Sequence, residues 1–174
     1  MNSEPLPQIP PSAAVDPRDF RRVAGRFATG VAVVSTVADG VDHAMTVNAF
    51  SSVSLEPLLV LFCAEKIARF HAAVLTAGRW AVSVLPESAQ DVSQWFATRG
   101  RPLGAHLGDW RFERGPMTGA AIFSGALASL ECRTHAVHDG GDHSIVVGEV
   151  LGAHAPETED RPLLYYGGRY QRLT

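Results

Sequence analysis

The feature that most constrains this chain is a long two-armed segment in its second half. Apolar residues dominate both arms, 126–138 and 143–154, and the four residues between them, Asp139-Gly140-Gly141-Asp142, favour turn conformations. Two such arms joined by a short turn predict an antiparallel β-hairpin. A fold built around this hairpin is mainly β, and it has to protect the edges of its sheet.

Other apolar runs predict further strands, with turns between several of them. The turn at Asp39-Gly40 predicts a second hairpin. Strands joined by short turns favour an antiparallel sheet, and closing or nearly closing that sheet into a barrel removes its exposed edges. The additional strands are predicted over 31–37, 43–50, 58–63, 80–85 and 163–166.

Helices are predicted at the start of the fold and between strands. Asp16 is a suitable N-cap for the first helix, and Pro17 suits its first position, with Gly30 as the stop. Helical spacing gives this segment one apolar face, formed by Phe20, Val23, Ala24 and Phe27. Two more helices are predicted over 68–77 and 88–99.

Length and composition indicate an ordinary globular domain. A chain of 174 residues fits one domain, predicted here over 16–174 behind a disordered tail over 1–15. The net charge of −3 gives no basic surface for nucleic acid. No run approaches the roughly 18 apolar residues of a membrane helix. We therefore expect a cytoplasmic protein that binds neither nucleic acid nor membrane, with Cys63 and Cys132 as reduced thiols.

The commonest short signatures of chemistry are missing. The sequence contains no GxGxxG and no GxxxxGK[ST], so neither a Rossmann dinucleotide site nor a Walker phosphate loop is supported. It contains no HExxH and no GxSxG, and its histidines and cysteines suggest no metal site.

Two segments nevertheless concentrate polar groups beside apolar strands. The first, 44–57, carries neutral hydroxyl and amide groups that can hold a phosphate or the edge of a heterocycle, namely Thr46, Asn48, Ser51, Ser52 and Ser54. The residues alone favour the simpler interpretation, a polar strand end with a serine-rich turn. In the second segment, 137–150, His143 follows the hairpin turn. A histidine there is more often solvated than functional, although it can change protonation near neutral pH.

The remaining histidines and tryptophans receive structural interpretations. His43 is expected to be solvated rather than catalytic. Trp80, Trp95 and Trp110 are expected to anchor the core or a dimer interface.

Seven segments in order resemble one family. They are FATGVAVVST, MTVNAFSSVSLEPLLVLFC, EKIARF, RWAVSVL, GALASLEC, GGDHSIVVGEV and PLLYYGGRY, and they run from about Phe20 to Tyr170. Together they are similar to the flavin reductase domain family of the FMN-binding split-barrel superfamily, the reductase components of two-component flavin-dependent monooxygenases.

The resemblance implies a mainly β fold with flanking helices, a six-stranded antiparallel split β-barrel, and a homodimer with flavin at the dimer-facing cleft. It implies that Thr46, Val47, Asn48 and Ala49 lie along the isoalloxazine and that Ser51 and Ser52 bind the ribityl-phosphate end. The segment that closes the same site would contribute Cys63, Lys66, Ala68, Arg69 and Phe70. His143 would position the nicotinamide as the catalytic residue, with Tyr170 near it.

One departure affects the phosphate contacts. Where the family often has serine or threonine after the residue that corresponds to Lys66, this chain has Ile67-Ala68-Arg69-Phe70. Only the backbone amides and Arg69 of this segment can then bind a phosphate.

The function implied is hydride transfer from NADH or NADPH to FMN or FAD, with the reduced flavin diffusing to a partner monooxygenase. Two alternatives are a flavin-binding electron carrier or sensor without nicotinamide turnover, and an enzyme like pyridoxamine-phosphate oxidase on the related barrel.

Overall fold

A computed structural model describes residues 15–101 and 107–173 of the chain, so the predicted tail lies almost entirely outside the described residues. In the described part the helices are α1 (Pro17–Ala24), α2 (Arg69–Ala77) and α3 (Gln90–Ala97), the last preceded by a 3₁₀ turn at Glu87–Ala89. The strands are β1 (Thr29–Gly30), β2 (Ala32–Ala38), β3 (Val41–Val47), β4 (Phe50–Leu55), β5 (Leu58–Glu65), β6 (Arg79–Val84), β7 (Phe112–Arg114), β8 (Ala121–Phe123), β9 (Ala128–Gly140), β10 (His143–His154), β11 (Leu164–Tyr166) and β12 (Arg169–Gln171).

The main sheet has seven strands in the order β3-β2-β6-β9-β10-β5-β4, and every neighbouring pair is antiparallel. Its longest pair is the predicted hairpin, in which His143 of β10 lies opposite Gly140 of β9. Gly141 in the turn has a φ of 76°, a left-handed conformation that glycine adopts without steric cost. The mainly β split-barrel fold is therefore confirmed, with seven strands in its sheet rather than six.

The split of the barrel follows from the connection between β3 and β4. These strands form the two outer edges of the sheet, yet only Asn48 and Ala49 separate them in the chain. The sheet must therefore curl until its edges meet, and the Cys63 N–H donates to the Ala49 carbonyl at 3.1 Å beside the gap. The expected single strand over 43–50 is wrong, because the chain turns at this gap and starts a new strand against β5.

Two cores lie on opposite sides of β2. Inside the curled sheet, the buried Trp80 packs edge-on against Phe62, with ring centroids 4.8 Å apart. On the outer side, α3 and the β7–β8 hairpin cover Val33, where Phe96 packs edge-on against Phe123 at 5.2 Å. Helix α3 is held in this second core, beside the strand β3 that it covers.

Helix α1 starts as predicted but does not pack as expected. The Asp16 side chain caps it by accepting the Arg18 N–H at 2.6 Å. The helix ends at Ala24 rather than near Gly30, because Gly25 takes the C-cap position. None of its residues is buried, so its apolar face points away from the core of this chain.

Both cysteines are free thiols, as predicted. Burial in the sheet, with a smaller contribution from Glu131, raises the pKa of Cys132 to about 12. Burial also raises the pKa of Cys63. Within the described residues, no helix is both long and apolar enough to cross a membrane.

Candidate functional site

A cavity of about 580 Å³ opens beside the split of the barrel. Strand β3 and the following turn line it over 42–49, and the start of α2 and the end of α3 contribute further residues. Strand β3 is extended, at about 3.3 Å per residue, so His43 and Val47 lie about 13 Å apart along the cavity. This volume falls within the usual range for small-molecule sites.

The cavity collects most of the residues predicted for the cofactor. The predicted residues that line it are Thr46, Val47, Asn48, Ala49, Cys63, Ala68, Arg69, Phe70 and His143. They come from β3, β5, the start of α2 and the start of β10, four places that are distant in sequence. Because the fold brings them to one surface, they can act on one ligand.

Four other predicted residues are not among those that line the cavity. The Ser51 hydroxyl donates to the Ser52 carbonyl at 2.9 Å, and both serines are exposed on the edge strand β4. Lys66 forms an ion pair with Asp139 in the hairpin turn. The Tyr170 hydroxyl is hydrogen bonded to Ser93 Oγ at 2.8 Å, next to α3. Their cofactor-binding roles stay predictions.

The segment Thr46–Ala49 forms a neutral polar wall of the cavity. The Thr46 hydroxyl donates to the Ser93 carbonyl at 2.7 Å, so towards a ligand its oxygen can only accept. Asn48 and Ala49 are exposed where the chain crosses the split. The wall therefore offers amide and hydroxyl groups without charge, which suits the polar edge of a heterocycle.

His143 is oriented by its neighbour in the turn. Its Nδ1 lies 2.7 Å from Asp142 Oδ1, and an ionised carboxylate can only accept, so Nδ1–H is the donor. In the neutral ring, Nε2 is then the unprotonated nitrogen that a ligand meets. The same hydrogen bond holds the pKa of Asp142 below its usual value.

The turn that carries His143 is fastened to the rest of the site by Lys66. The Lys66 backbone N–H donates to the Asp142 carbonyl at 2.9 Å, and its ammonium pairs with Asp139. This pairing holds the pKa of Asp139 below its usual value. On the next residue of β10, Ser144 Oγ is hydrogen bonded to His71 Nε2 of α2 at 2.9 Å.

Three basic side chains, His43, Arg69 and Arg101, meet at another part of the cavity, and we call them the basic cluster. Arg101 donates to the carbonyls of Phe96 and Thr98, each at 3.3 Å, and to the carbonyl of Ala44. Arg69 donates to the Arg101 carbonyl. Partial burial, and then the positive charge of Arg69, lower the pKa of His43.

The carboxylates that line the cavity form ion pairs with arginines that do not belong to the basic cluster. Asp42 accepts two hydrogen bonds from the Arg114 guanidinium, at 2.5 and 2.7 Å. Glu65 pairs with Arg99. The basic cluster therefore keeps an excess of positive charge, and guanidinium groups suit phosphate oxygens.

Sequence interpretation missed several residues of the cavity wall. His43 was expected to be solvated and Trp95 to be a core or interface anchor, whereas both line the cavity. Arg101, Leu107 and Gly108 also line it, and they belong to a segment rich in glycine, proline and charge. That composition indicates a loop but has no fixed spacing that marks a binding role.

The donor set fits an anionic cofactor with a flat polar ring and does not suggest a metal. Within 15–101 and 107–173, no three His, Cys, Asp or Glu side chains come together to hold an ion. A split barrel whose cavity combines a neutral polar wall with a basic cluster suits the binding of a phosphorylated heterocycle. The chain belongs to the flavin reductase-like domain family, whose model matches residues 24–174.

Characterised relatives resemble nearly the whole chain. The reductase subunit HsaB of a flavin-dependent monooxygenase from Mycobacterium tuberculosis is 42% identical over 160 residues, which cover 91% of this chain and 83% of that protein. An NADH-dependent FAD reductase from Streptomyces globisporus is 42% identical over 171 residues, which cover 94% of this chain and 91% of that protein.

Solved structures share the fold. BorF, the flavin reductase component of a bacterial two-component tryptophan halogenase, superposes with a TM-score of 0.86 at 42% identity, covering 91% of this chain and 98% of that one. The NADH:FAD oxidoreductase SgcE6 of Streptomyces globisporus, in complex with NAD and FAD fragments, gives a TM-score of 0.83 at 37% identity, covering 94% and 98%. The predicted family and its flavin-reductase function are thereby confirmed.

Proposed function

We propose that this protein is an NAD(P)H:flavin oxidoreductase that passes reduced FMN or FAD to a partner monooxygenase. The observation that carries the proposal is the cavity at the split, where residues from four distant segments meet and the neutral Thr46–Ala49 wall shares one cavity with basic side chains. The relatives support the choice of ligands, because those named above include an NADH-dependent FAD reductase and the reductase subunit of a monooxygenase.

In this proposal each part of the cavity binds one part of the ligands. A bound flavin supplies the acceptor for a hydride from the nicotinamide. The Thr46–Ala49 wall holds the polar edge of a ring through uncharged groups, and Arg69 with Arg101 binds phosphate oxygens. No side chain of this set has to act as a nucleophile.

His143 is proposed to position the nicotinamide rather than to accept the hydride. Its hydrogen bond to Asp142 leaves Nε2 as an acceptor in the neutral ring, which suits a carboxamide N–H. Lys66 holds the turn in place through the Asp142 carbonyl, so the imidazole is presented from a fixed backbone.

The proposal is tested by mixing the purified protein with NADH or NADPH and excess FMN or FAD, and following the loss of the reduced nicotinamide absorbance. Rapid oxidation in the presence of flavin is the expected result. Flavin binding without oxidation of either nicotinamide would contradict a reductase and favour an electron carrier or sensor.

A matched pair of variants then tests the histidine. His143→Ala is expected to slow flavin reduction or to raise the KM for NADH while flavin affinity is retained. His138→Ala, on the other arm of the same hairpin and outside the cavity lining, is expected to behave like the parent protein.

We also propose that two copies of the chain associate and that the enzyme works in the cytoplasm. Two observations support the association. Helix α1 exposes the large apolar side chains of Phe20 and Val23, Phe27 just beyond its end is 79% exposed, and the edge strand β4 exposes Val53 and Leu55. Burying such surfaces against a second copy removes apolar area from water.

A further inference from the structure

Trp95 is an aromatic residue that the core of this chain does not use. It lies in α3 next to Phe96, which is only 2% exposed and packs on Phe123, whereas Trp95 itself is 40% exposed and lines the cavity. Gly108, whose φ of 81° favours glycine, lies beside the Trp95 indole, because a Cβ built on it would make an ordinary contact 3.7 Å from Trp95 Nε1.

The basic cluster lines the same cavity as this indole. Arg101 stacks over the Phe96 ring, with its guanidinium carbon 5.0 Å from the ring centroid. It also donates to the Thr98 carbonyl at the end of the helix, and Arg69 joins it through the Arg101 carbonyl. An exposed indole and a pair of guanidinium groups therefore border one continuous cavity.

This combination matches the chemistry of a nucleotide. Aromatic side chains bind bases by stacking, and arginine binds phosphate oxygens with two parallel hydrogen bonds. The carboxylates of the cavity, Asp42 and Glu65, are already paired with Arg114 and Arg99, so they do not neutralise the cluster.

We infer that Trp95, Arg69 and Arg101 form a subsite for an adenosine diphosphate moiety, with the adenine on the indole and the phosphates on the two arginines. FMN carries no adenine, whereas FAD and the nicotinamide dinucleotides both contain this moiety. The inference rests on the proposed function only in deciding which ligand, FAD or the nicotinamide dinucleotide, carries the adenosine diphosphate moiety.

The test uses the full-length protein and its Trp95→Ala and Trp95→Phe variants, with calorimetric titrations of ADP, FAD and FMN. Because stacking on an aromatic side chain stabilises a bound base, Trp95→Ala is expected to weaken ADP binding by about tenfold. Trp95→Phe keeps an aromatic ring and is expected to retain most of the affinity. Circular dichroism melts of the three proteins verify that each is folded.

Two further measurements identify the source of the moiety. If it comes from FAD, Trp95→Ala weakens FAD about tenfold and leaves the FMN dissociation constant unchanged. If it comes from NADH, the dissociation constants of FAD and FMN are both unchanged and the KM for NADH, measured with saturating FMN, rises by a similar factor. Either result supports the subsite.

The inference is overturned if ADP fails to bind the parent protein, or if Trp95→Ala leaves ADP, FAD and NADH binding unaltered. An equal loss of FMN and FAD affinity would also overturn it, because FMN has no adenine to stack. ADP binding is measured without turnover, so a protein that binds ADP through Trp95 but oxidises no NADH would refute the reductase and leave the subsite standing.

Discussion

At His143, the hydrogen bond from Nδ1 to Asp142 decides which ring nitrogen a ligand meets. The bond is short, at 2.7 Å, but the Asp142 side chain is 88% exposed. Exposed charged hydrogen bonds contribute little to stability, so the carboxylate serves orientation more than stability.

Replacing Asp142 should therefore affect catalysis while the fold is retained. Asp142→Ala is expected to slow flavin reduction by up to about fivefold, the equivalent of an exposed charged hydrogen bond. Asp142→Asn keeps an acceptor oxygen and is expected to lose less. Stopped-flow reduction at several pH values measures both variants.

A control is available in the same turn. Asp139→Asn removes the partner of Lys66 but leaves the Asp142–His143 hydrogen bond. If Asp139→Asn slows the reaction as much as Asp142→Ala, the effect comes from the turn as a whole and not from the orientation of the imidazole.

Individual site residues could be predicted from the sequence only where residues close together in the chain form a recognisable pattern. The polar segment 44–57 and the histidine after the hairpin turn are visible as local patterns. Trp95 and Arg101 are not, because their place at the cavity depends on how α3 packs against a distant strand. Ser51 resembles a binding residue in composition, yet β4 carries it on the exposed edge of the sheet.

Among the elements, β10 and β6 approach each other closely where Gly148 meets Trp80. An added Cβ at Gly148 of β10 would lie 2.2 Å from the ring of the fully buried Trp80. The ring cannot move aside easily because it packs edge-on against Phe62. Glycine is thus the residue that lets the two strands close around this tryptophan.

Gly148→Ala is expected to destabilise the protein by about 1–3 kcal/mol through overpacking. Gly152→Ala on the same strand is the matched control, since an added Cβ there meets only ordinary contacts, the nearest at 3.6 Å. Denaturant titration compares the two free energies of unfolding. Equal stability of both variants would show that Trp80 relocates at little cost.

Hydrophobic periodicity and turn residues in the sequence predicted which segments are helices and which are strands. They did not predict where β3 ends and β4 begins at the split. Asp39 and Gly40 adopt positive φ values of 51° and 74° in the predicted hairpin turn. The break at Asn48 and Ala49 leaves a weaker signal, because only Asn48 is a usual turn former and the apolar residues Val47 and Phe50 flank the pair. Curling of the whole sheet, a long-range property, places the break there.

For the whole molecule, the exposed apolar surface formed by Phe20 of α1 and by Phe27 just beyond its end predicts association. Phe20→Glu together with Phe27→Glu puts two charges on that surface and is expected to convert a dimer into a monomer, because burying unpaired charge is costly. Val137→Glu, an exposed apolar position on β9, is the control. Sedimentation velocity measures the mass of the parent protein and of both variants. A parent protein that sediments as a monomer would rule out the association.

The pairing of Asp42 with Arg114 and of Glu65 with Arg99 also governs how ligands arrive and leave. The chain carries a net charge of −3, yet the cavity presents Arg69 and Arg101 while its carboxylates, Asp42 and Glu65, are paired with other arginines. Such a local positive field speeds the capture of anionic molecules and weakens as ionic strength rises. Reduced flavin leaves as an anion against the same attraction, so salt in the surrounding solution sets the balance between holding a flavin and passing it on.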